Sequence, residues 1–174
     1  MIAIGQPLPP FQGDALWPDG TISPMNLAEW RHGRWLVLFF YPLDFTFVCP
    51  TEIRGFARLH GAFVDAGGRV AGVSVDSAYA HRAWCRGDLG AVPFPLLSDL
   101  DRSFTAACGM LAPRGHAQRA TLIVDDDGIV QSVAAAASNV GRSVQETLRQ
   151  FRALQAGGLT PCEWTPEQPL LEAV

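Results

Sequence analysis

Four cysteines, at positions 49, 85, 108 and 162, are the residues of this chain best suited to covalent chemistry, and their surroundings differ. Cys49 lies in the string Phe39-Phe40-Tyr41-Pro42-Leu43-Asp44-Phe45-Thr46-Phe47-Val48-Cys49-Pro50, where an aromatic apolar run gives way to a short loop. Beyond it, Ile53, Phe56, Leu59 and Phe63 fall at helical spacing, so a helix is predicted to begin close to Cys49. A cysteine attacks as its thiolate, and the unpaired N–H groups and dipole of a helix start favour negative charge. Pro50 suits the first turn, since it has no N–H to leave unsatisfied and a preset backbone angle. Thr46, a few residues earlier, offers a hydroxyl that can donate to a thiolate and accept from a protonated substrate oxygen. A lone cysteine is more often a buried small hydrophobe than a nucleophile. The combination of aromatic strand, Pro, Thr and Pro at a helix start turns the reading toward a nucleophile.

The run Pro42-Leu43-Asp44-Phe45-Thr46-Phe47-Val48-Cys49 resembles the signature of the peroxiredoxins, Pro-x-x-x-Thr/Ser-x-x-Cys, and Pro50-Thr51-Glu52 is usual after it in the typical two-cysteine class. That class includes the peroxidase subunits of bacterial alkyl hydroperoxide reductases. The likeness continues through Ser74-Val75-Asp76-Ser77 with His81 and Trp84, then Pro95 to Asp99, Arg119 to Asp125 and Val140 to Leu148, so it covers nearly the whole chain. It implies an α/β, thioredoxin-like fold and a peroxidase that needs neither cofactor nor metal. By the resemblance, Cys49 is the peroxidatic cysteine, Pro42 shields it from water, Thr46 orients the peroxide and Arg119 lies beside the sulfur. Glu52 and Arg142 match residues that pair near the site and orient the arginine. The implied reaction is thiolate attack on hydrogen peroxide or an organic hydroperoxide, releasing water or alcohol and leaving a sulfenic acid. The implied partners are the peroxide, thioredoxin or a flavoprotein disulfide reductase as electron donor, and a second copy of the chain in a homodimer that some members build into a decamer.

A second thiol must then trap the sulfenic acid. The class carries it in a C-terminal arm, in a Val-Cys-Pro-x-x-Trp context, and here the arm reads Leu159-Thr160-Pro161-Cys162-Glu163-Trp164-Thr165-Pro166. Position and tryptophan match, but proline precedes Cys162 and one residue separates Cys162 from Trp164. The resemblance assigns resolution to Cys162 of the partner subunit. Cys85, at the end of the helix bearing His81 and Trp84, is the main alternative, and Cys108 reads as a packed small residue. A one-cysteine peroxidase reduced by an external thiol, and a redox-sensing or holdase scaffold, remain open readings. A thioredoxin-type disulfide oxidoreductase does not fit, because no second thiol closely follows Cys49. The chain has only Asp88-Leu89-Gly90 where over-oxidisable relatives have Gly-Gly-Leu-Gly, and no C-terminal helix bearing Tyr-Phe. Resistance to over-oxidation is therefore expected.

The elements that must position these residues read as alternating strands and helices. Trp35 to Tyr41 is a continuous apolar run of strand length, as expected of a central strand buried on both faces. Gly67-Gly68 ends the Cys49 helix, Arg69 to Val75 is a second buried strand, and Asp76 or Ser77 caps a helix to about Arg86. Pro93 to Leu97 is a short strand candidate and Asp99 to Ala107 a short helix. Arg119 to Val124 and Ile129 to Ala136 are predicted to pair as a hairpin across Asp125-Asp126-Asp127-Gly128. Ser143 to Ala156 is the last helix. The order predicts a mixed central sheet with helices on both faces, a domain over residues 1–156, and an extended C-terminal arm over 157–174.

Composition removes other classes. The net charge is -4 and the basic residues are scattered, which is not the footprint of a nucleic-acid binder. No apolar run reaches the ~18 residues of a membrane span. No Cys-x-x-Cys occurs and the four His do not cluster with cysteine at zinc-ligand spacing, so no metal site is expected. The hydrophobic fraction of 48% supports a well-packed domain that needs no disulfides to fold, which points to a reducing compartment and the cytoplasm as default.

Overall fold

The computed structural model describes residues 2–172. The chain runs β1 (Gln12–Leu16), β2 (Ile22–Asn26), α1 (Leu27–Arg31), β3 (Trp35–Phe40), α2 (Cys49–Asp65), β4 (Gly68–Ser74), α3 (Ala78–Arg86), β5 (Leu96–Ser98), α4 (Ser103–Ala107), β6 (Arg119–Val124), β7 (Val130–Ala136) and α5 (Val144–Ala156). The strands form one seven-stranded sheet in the order β2-β1-β5-β4-β3-β6-β7. Strand β3 is parallel to β4 and antiparallel to β6, so the sheet is mixed. This is the thioredoxin-like arrangement that the resemblance implied.

Strand β3 is central because its side chains are apolar on both faces. Leu36, Leu38 and Phe40 enter one buried cluster with Phe11, Met25 and Phe104, while Val37, Phe39 and Tyr41 enter the other with Ile53, Phe56, Trp84 and Phe151. The second face is covered by α2, α3 and α5, and it is the face that receives Cys49. Close approach there requires Gly72: a Cβ at this position would lie 2.8 Å from the Phe39 ring and 2.9 Å from Leu96. With that room, Phe39 stacks on Phe56 of α2 at 4.2 Å between centroids, which holds α2 against the sheet.

Several boundaries differ from those predicted. The sheet gains the β1–β2 hairpin and helix α1, which periodicity does not reveal. Their burial is too sparse to make a pattern, with only Ala15 and Leu16 buried in β1 and Met25 in β2. Pro24 inside β2 is tolerated because β2 is an edge strand. Strand β5 begins at Leu96 instead of Pro93, since Pro93 and Pro95 cannot donate to the ladder. Helix α4 begins at Ser103 rather than Asp99, because the Asp99 carboxylate accepts from the N–H groups of Phe104 and Thr105.

After α5 the chain turns at Gly157 and folds back on itself instead of running straight. Leu159 pairs with Leu171, Trp164 is buried, and its indole N–H donates to the Gln168 carbonyl at 3.0 Å. Arg149 of α5 donates to the Trp164 carbonyl at 3.3 Å, which ties the segment to the domain. Among the described residues, no helix is long and apolar enough to cross a membrane, and no group of three or more His, Cys, Asp or Glu could hold a metal ion.

Candidate active site

The site forms where three parts of the fold converge: the end of β3, the start of α2 and the start of β6. The last β3–β6 pair is Phe40 with Ala120, so antiparallel register brings Arg119 level with the exit of β3, where the 42–48 loop begins. Helix α2 starts at Cys49 itself, with Val48 as N-cap and no side chain capping the first turn. Pro50 occupies the first turn as its chemistry predicts. Cys49 is 1% exposed and Arg119 is 3% exposed, and the guanidinium places Nη1 at 3.7 Å and Nη2 at 3.9 Å from Sγ. A buried thiol under a buried cation is the core of the arrangement.

Glu52 holds that cation in place. It follows Cys49 on the first turn of α2 and is 3% exposed. Its Oε2 accepts from Arg119 Nη1, while Oε1 accepts from the backbone N–H of Arg142 at 2.8 Å and from Arg142 Nε at 2.9 Å. Arg119 also donates through Nη2 to the Ser138 carbonyl at 2.6 Å. Arg142 reaches inward to the Ala120 carbonyl at 2.7 Å and to Thr121 Oγ1 at 2.9 Å, and its guanidinium lies 5.6 Å from the Phe39 ring centroid. Burial pushes Arg142 down from the ordinary arginine range, against the pull of Glu52. Two guanidinium groups share the one Glu52 carboxylate, so the cluster leaves one positive charge unbalanced beside the Cys49 sulfur.

The loop residues fall into place less uniformly. Pro42 is buried at the exit of β3, and Thr46 is half-buried. The Thr46 hydroxyl donates to the Leu43 carbonyl at 2.8 Å and not to sulfur, which differs from the donation to the thiolate that the sequence suggested. A backbone carbonyl exposed by the loop's turn takes the proton first, leaving the Thr46 oxygen as an acceptor. Phe45 and Phe47 are exposed at 60% and 94% on the same loop. Sequence reasoning missed the Ser138 carbonyl, which no side-chain pattern could signal. It also left without a role at the site the set of Tyr41, Asp44 and His81, all buried, and half-buried Asp76, of which His81 drew notice only as part of a resemblance and Asp76 also as a helix cap.

All four cysteines are unpaired. Cys162 is the exposed one, in the folded segment beside buried Trp164. Cys85 is half-buried on α3, and burial, with the Asp44 charge adding to it, pushes its thiol up to about 11. Cys108 is buried, and burial followed by the Asp99 charge pushes it up to about 12. Neither thiol ionises readily near neutral pH.

Comparison with known proteins places the chain in a family and a fold. Residues 4–133 match the model of the AhpC/TSA family. Alkyl hydroperoxide reductase C of Mycolicibacterium smegmatis is 45% identical over 162 residues, covering 92% of this chain and 83% of that protein. The reduced 2-Cys peroxiredoxin of Plasmodium vivax superposes with a TM-score of 0.93 at 32% identity, covering 97% of this chain and 92% of the other. The AhpC structure of Mycobacterium tuberculosis gives 0.83 at 40% identity, covering 89% and 99%. The chain belongs to the AhpC/TSA family, and it is a peroxiredoxin, a thiol-dependent peroxidase.

Proposed function

We propose that Cys49 is the peroxidatic thiol and that it reduces hydrogen peroxide and organic hydroperoxides. The observation that carries this reading is the pair of Arg119 nitrogens at 3.7 and 3.9 Å from the Cys49 sulfur, within a cluster that carries one unbalanced positive charge. The thiolate sulfur attacks one peroxide oxygen, a sulfur–oxygen bond forms, and the oxygen–oxygen bond breaks. The departing alkoxide or hydroxide takes a proton and leaves as alcohol or water, and Cys49 becomes a sulfenic acid. Arg119 stabilises the charge as it passes from sulfur to the leaving oxygen. The Thr46 oxygen, its proton committed to Leu43, accepts the hydrogen of the protonated peroxide and so sets its orientation. Pro42, buried beside the loop, keeps competing water away.

Cys162 of a second copy then attacks the sulfenic sulfur, forming the disulfide and releasing the hydroxyl as water. Its exposure supports this assignment, as does the reluctance of Cys85 and Cys108 to ionise. A dithiol donor, thioredoxin or a flavoprotein disulfide reductase, returns the enzyme to its reduced form. This cycle makes the working unit a homodimer, which members of the class also assemble into decamers, and it suits the reducing cytoplasm. The domain at residues 1–156 supplies the peroxide-reacting half of the cycle and the segment 157–174 the resolving half.

The test is a non-reducing gel after one equivalent of peroxide. A covalent dimer that disappears in both Cys49→Ser and Cys162→Ser is the expected result. A monomer band unchanged in wild type, with activity retained on an external thiol, would replace this reading with a one-cysteine peroxidase. Loss of the dimer in Cys85→Ser alone would move resolution to α3. A Cys49→Ser protein that loses peroxidase activity yet keeps its whole cellular effect would favour a holdase or redox-sensing role.

A further inference from the structure

The 42–48 loop is gripped by a second set of polar side chains, Tyr41, Asp44 and His81 buried and Asp76 half-buried, that the peroxide chemistry does not use. The Asp44 carboxylate accepts from the Tyr41 hydroxyl on Oδ1 at 3.0 Å and faces His81 Nδ1 through Oδ2 at 2.7 Å. Asp44 is 6% exposed, and its backbone N–H donates to Asp76 Oδ2 at 2.9 Å. Asp76 is fixed in turn by the Ser74 hydroxyl at 2.7 Å. His81 of α3 is fully buried, and its Nε2 faces the Leu97 carbonyl at 3.3 Å. The loop is thereby joined to the ends of β3 and β4 and to α3.

It is also held in a strained shape. Phe45, next to Asp44, adopts φ 55, in the left-handed region that penalises any residue with a β-carbon. Such a conformation persists only where neighbours over-determine it. Here the Asp44 bonds do so, together with the Phe45 ring packed 5.8 Å from that of Trp84, which shares the buried face of α3 with His81.

Cys49 is 1% exposed, whereas a disulfide requires the two Cα atoms to approach within roughly 7 Å with sulfur touching sulfur. The loop must therefore open between peroxide attack and disulfide closure. We propose that Asp44 and His81 are positioning residues that set the balance between these two steps, an inference that rests on the peroxidase reading above. While their bond is intact, the loop keeps Cys49 beneath Arg119, ready for peroxide. When it breaks, the strain at Phe45 helps the loop to unfold and admits the resolving thiol. A weaker grip must then slow attack and speed closure. A bond that only stabilised the fold would not move the two rates in opposite directions.

The test uses the full-length reduced protein in rapid-mixing experiments with hydrogen peroxide. Tryptophan fluorescence follows Cys49 oxidation, and quenched non-reducing gels follow disulfide closure. His81→Leu removes the donor to Asp44, whereas His81→Asn returns an amide N–H near the position of Nδ1. We expect His81→Leu to slow oxidation about tenfold and to accelerate closure several-fold, with less sulfinic acid formed per turnover, and His81→Asn to recover most of both changes. A folded His81→Leu protein in which both rates fall together, or neither changes, overturns the proposal. If His81→Leu does not fold by circular dichroism, Asp44→Asn, which keeps an oxygen for Tyr41, is judged by the same opposed changes. Wild-type Cys49 that does not react with peroxide would sink the peroxidase reading and this one with it, a failure visible before any variant is made.

Discussion

Two buried polar clusters serve the Cys49 loop, and they are built differently. The Arg119, Glu52 and Arg142 cluster touches sulfur and carries one unbalanced positive charge. In the Asp44, His81 and Tyr41 cluster a carboxylate is met by a hydroxyl and a ring nitrogen, and its bonds reach the loop backbone but not the sulfur. On the proposed reading, one cluster acts on the reacting atoms, and the other on the conformation that brings them together. On that reading the contrast gives a reason for an active site to hold more buried polar groups than its chemistry uses, since a nucleophile that must first be hidden and then released requires a hold separate from its activation.

The comparison breaks most visibly at Arg119. Replacing it with Ala should lower the rate of Cys49 oxidation by about a hundredfold or more, the size expected when a preorganised charge partner is lost. Stopped-flow oxidation should reveal this with little change in the rate of disulfide closure. If closure rose as much as oxidation fell, Arg119 would belong with the positioning cluster instead.

A smaller effect on rate is expected at Glu52. Glu52→Gln leaves two buried guanidinium groups without their shared carboxylate, and the protein should lose stability by about 3 kcal/mol, within the range for a broken buried ion pair. Urea denaturation measures this directly. Peroxide attack should fall by about tenfold, because Arg119 loses one of its two anchors but keeps the Ser138 carbonyl. An unchanged midpoint would mean that the carboxylate is not needed to bury the pair.

The smallest effect concerns the thiols that neither cluster uses. Cys85 and Cys108 should resist iodoacetamide at pH 7 to 8, and Cys85 should gain reactivity only as pH approaches about 11. Mass spectrometry of alkylated peptides across a pH series gives the curve. The sign for stability follows from the same shift. A thiol raised from 9.0 to about 11 in the folded chain contributes stability that is present below the unfolded value and is lost as pH climbs through that window. Rapid labelling of Cys85 at neutral pH would show that α3 opens readily, which would weaken the case for a firm grip by His81.

Much of this molecule is legible without coordinates. The doubly apolar run at Trp35 to Tyr41 identifies the central strand, since a strand covered on both faces has no polar alternation. Hydrophobic spacing after Pro50 identifies α2, and with it the placement of Cys49 at a helix start. The hairpin of β1 and β2 is not legible, because an edge hairpin with so few buried side chains leaves no period to find. The proposed attacking residue Cys49 and its local companions Pro42 and Thr46 are read from chemical type and short spacing, which sequence carries.

What only the tertiary structure decided is which distant groups meet. Arg119 lies 67 residues from Glu52, and the antiparallel register of β6 on β3 brings it to the sulfur and the carboxylate. Asp44 and His81 are 37 residues apart and become partners only because α3 packs beside the end of β3. The destination of the Thr46 proton was likewise settled by the turn of the loop around Leu43. Local periodicity reports which face of an element is buried, but the partner of a buried polar group depends on how elements pack, and no single stretch of sequence records that.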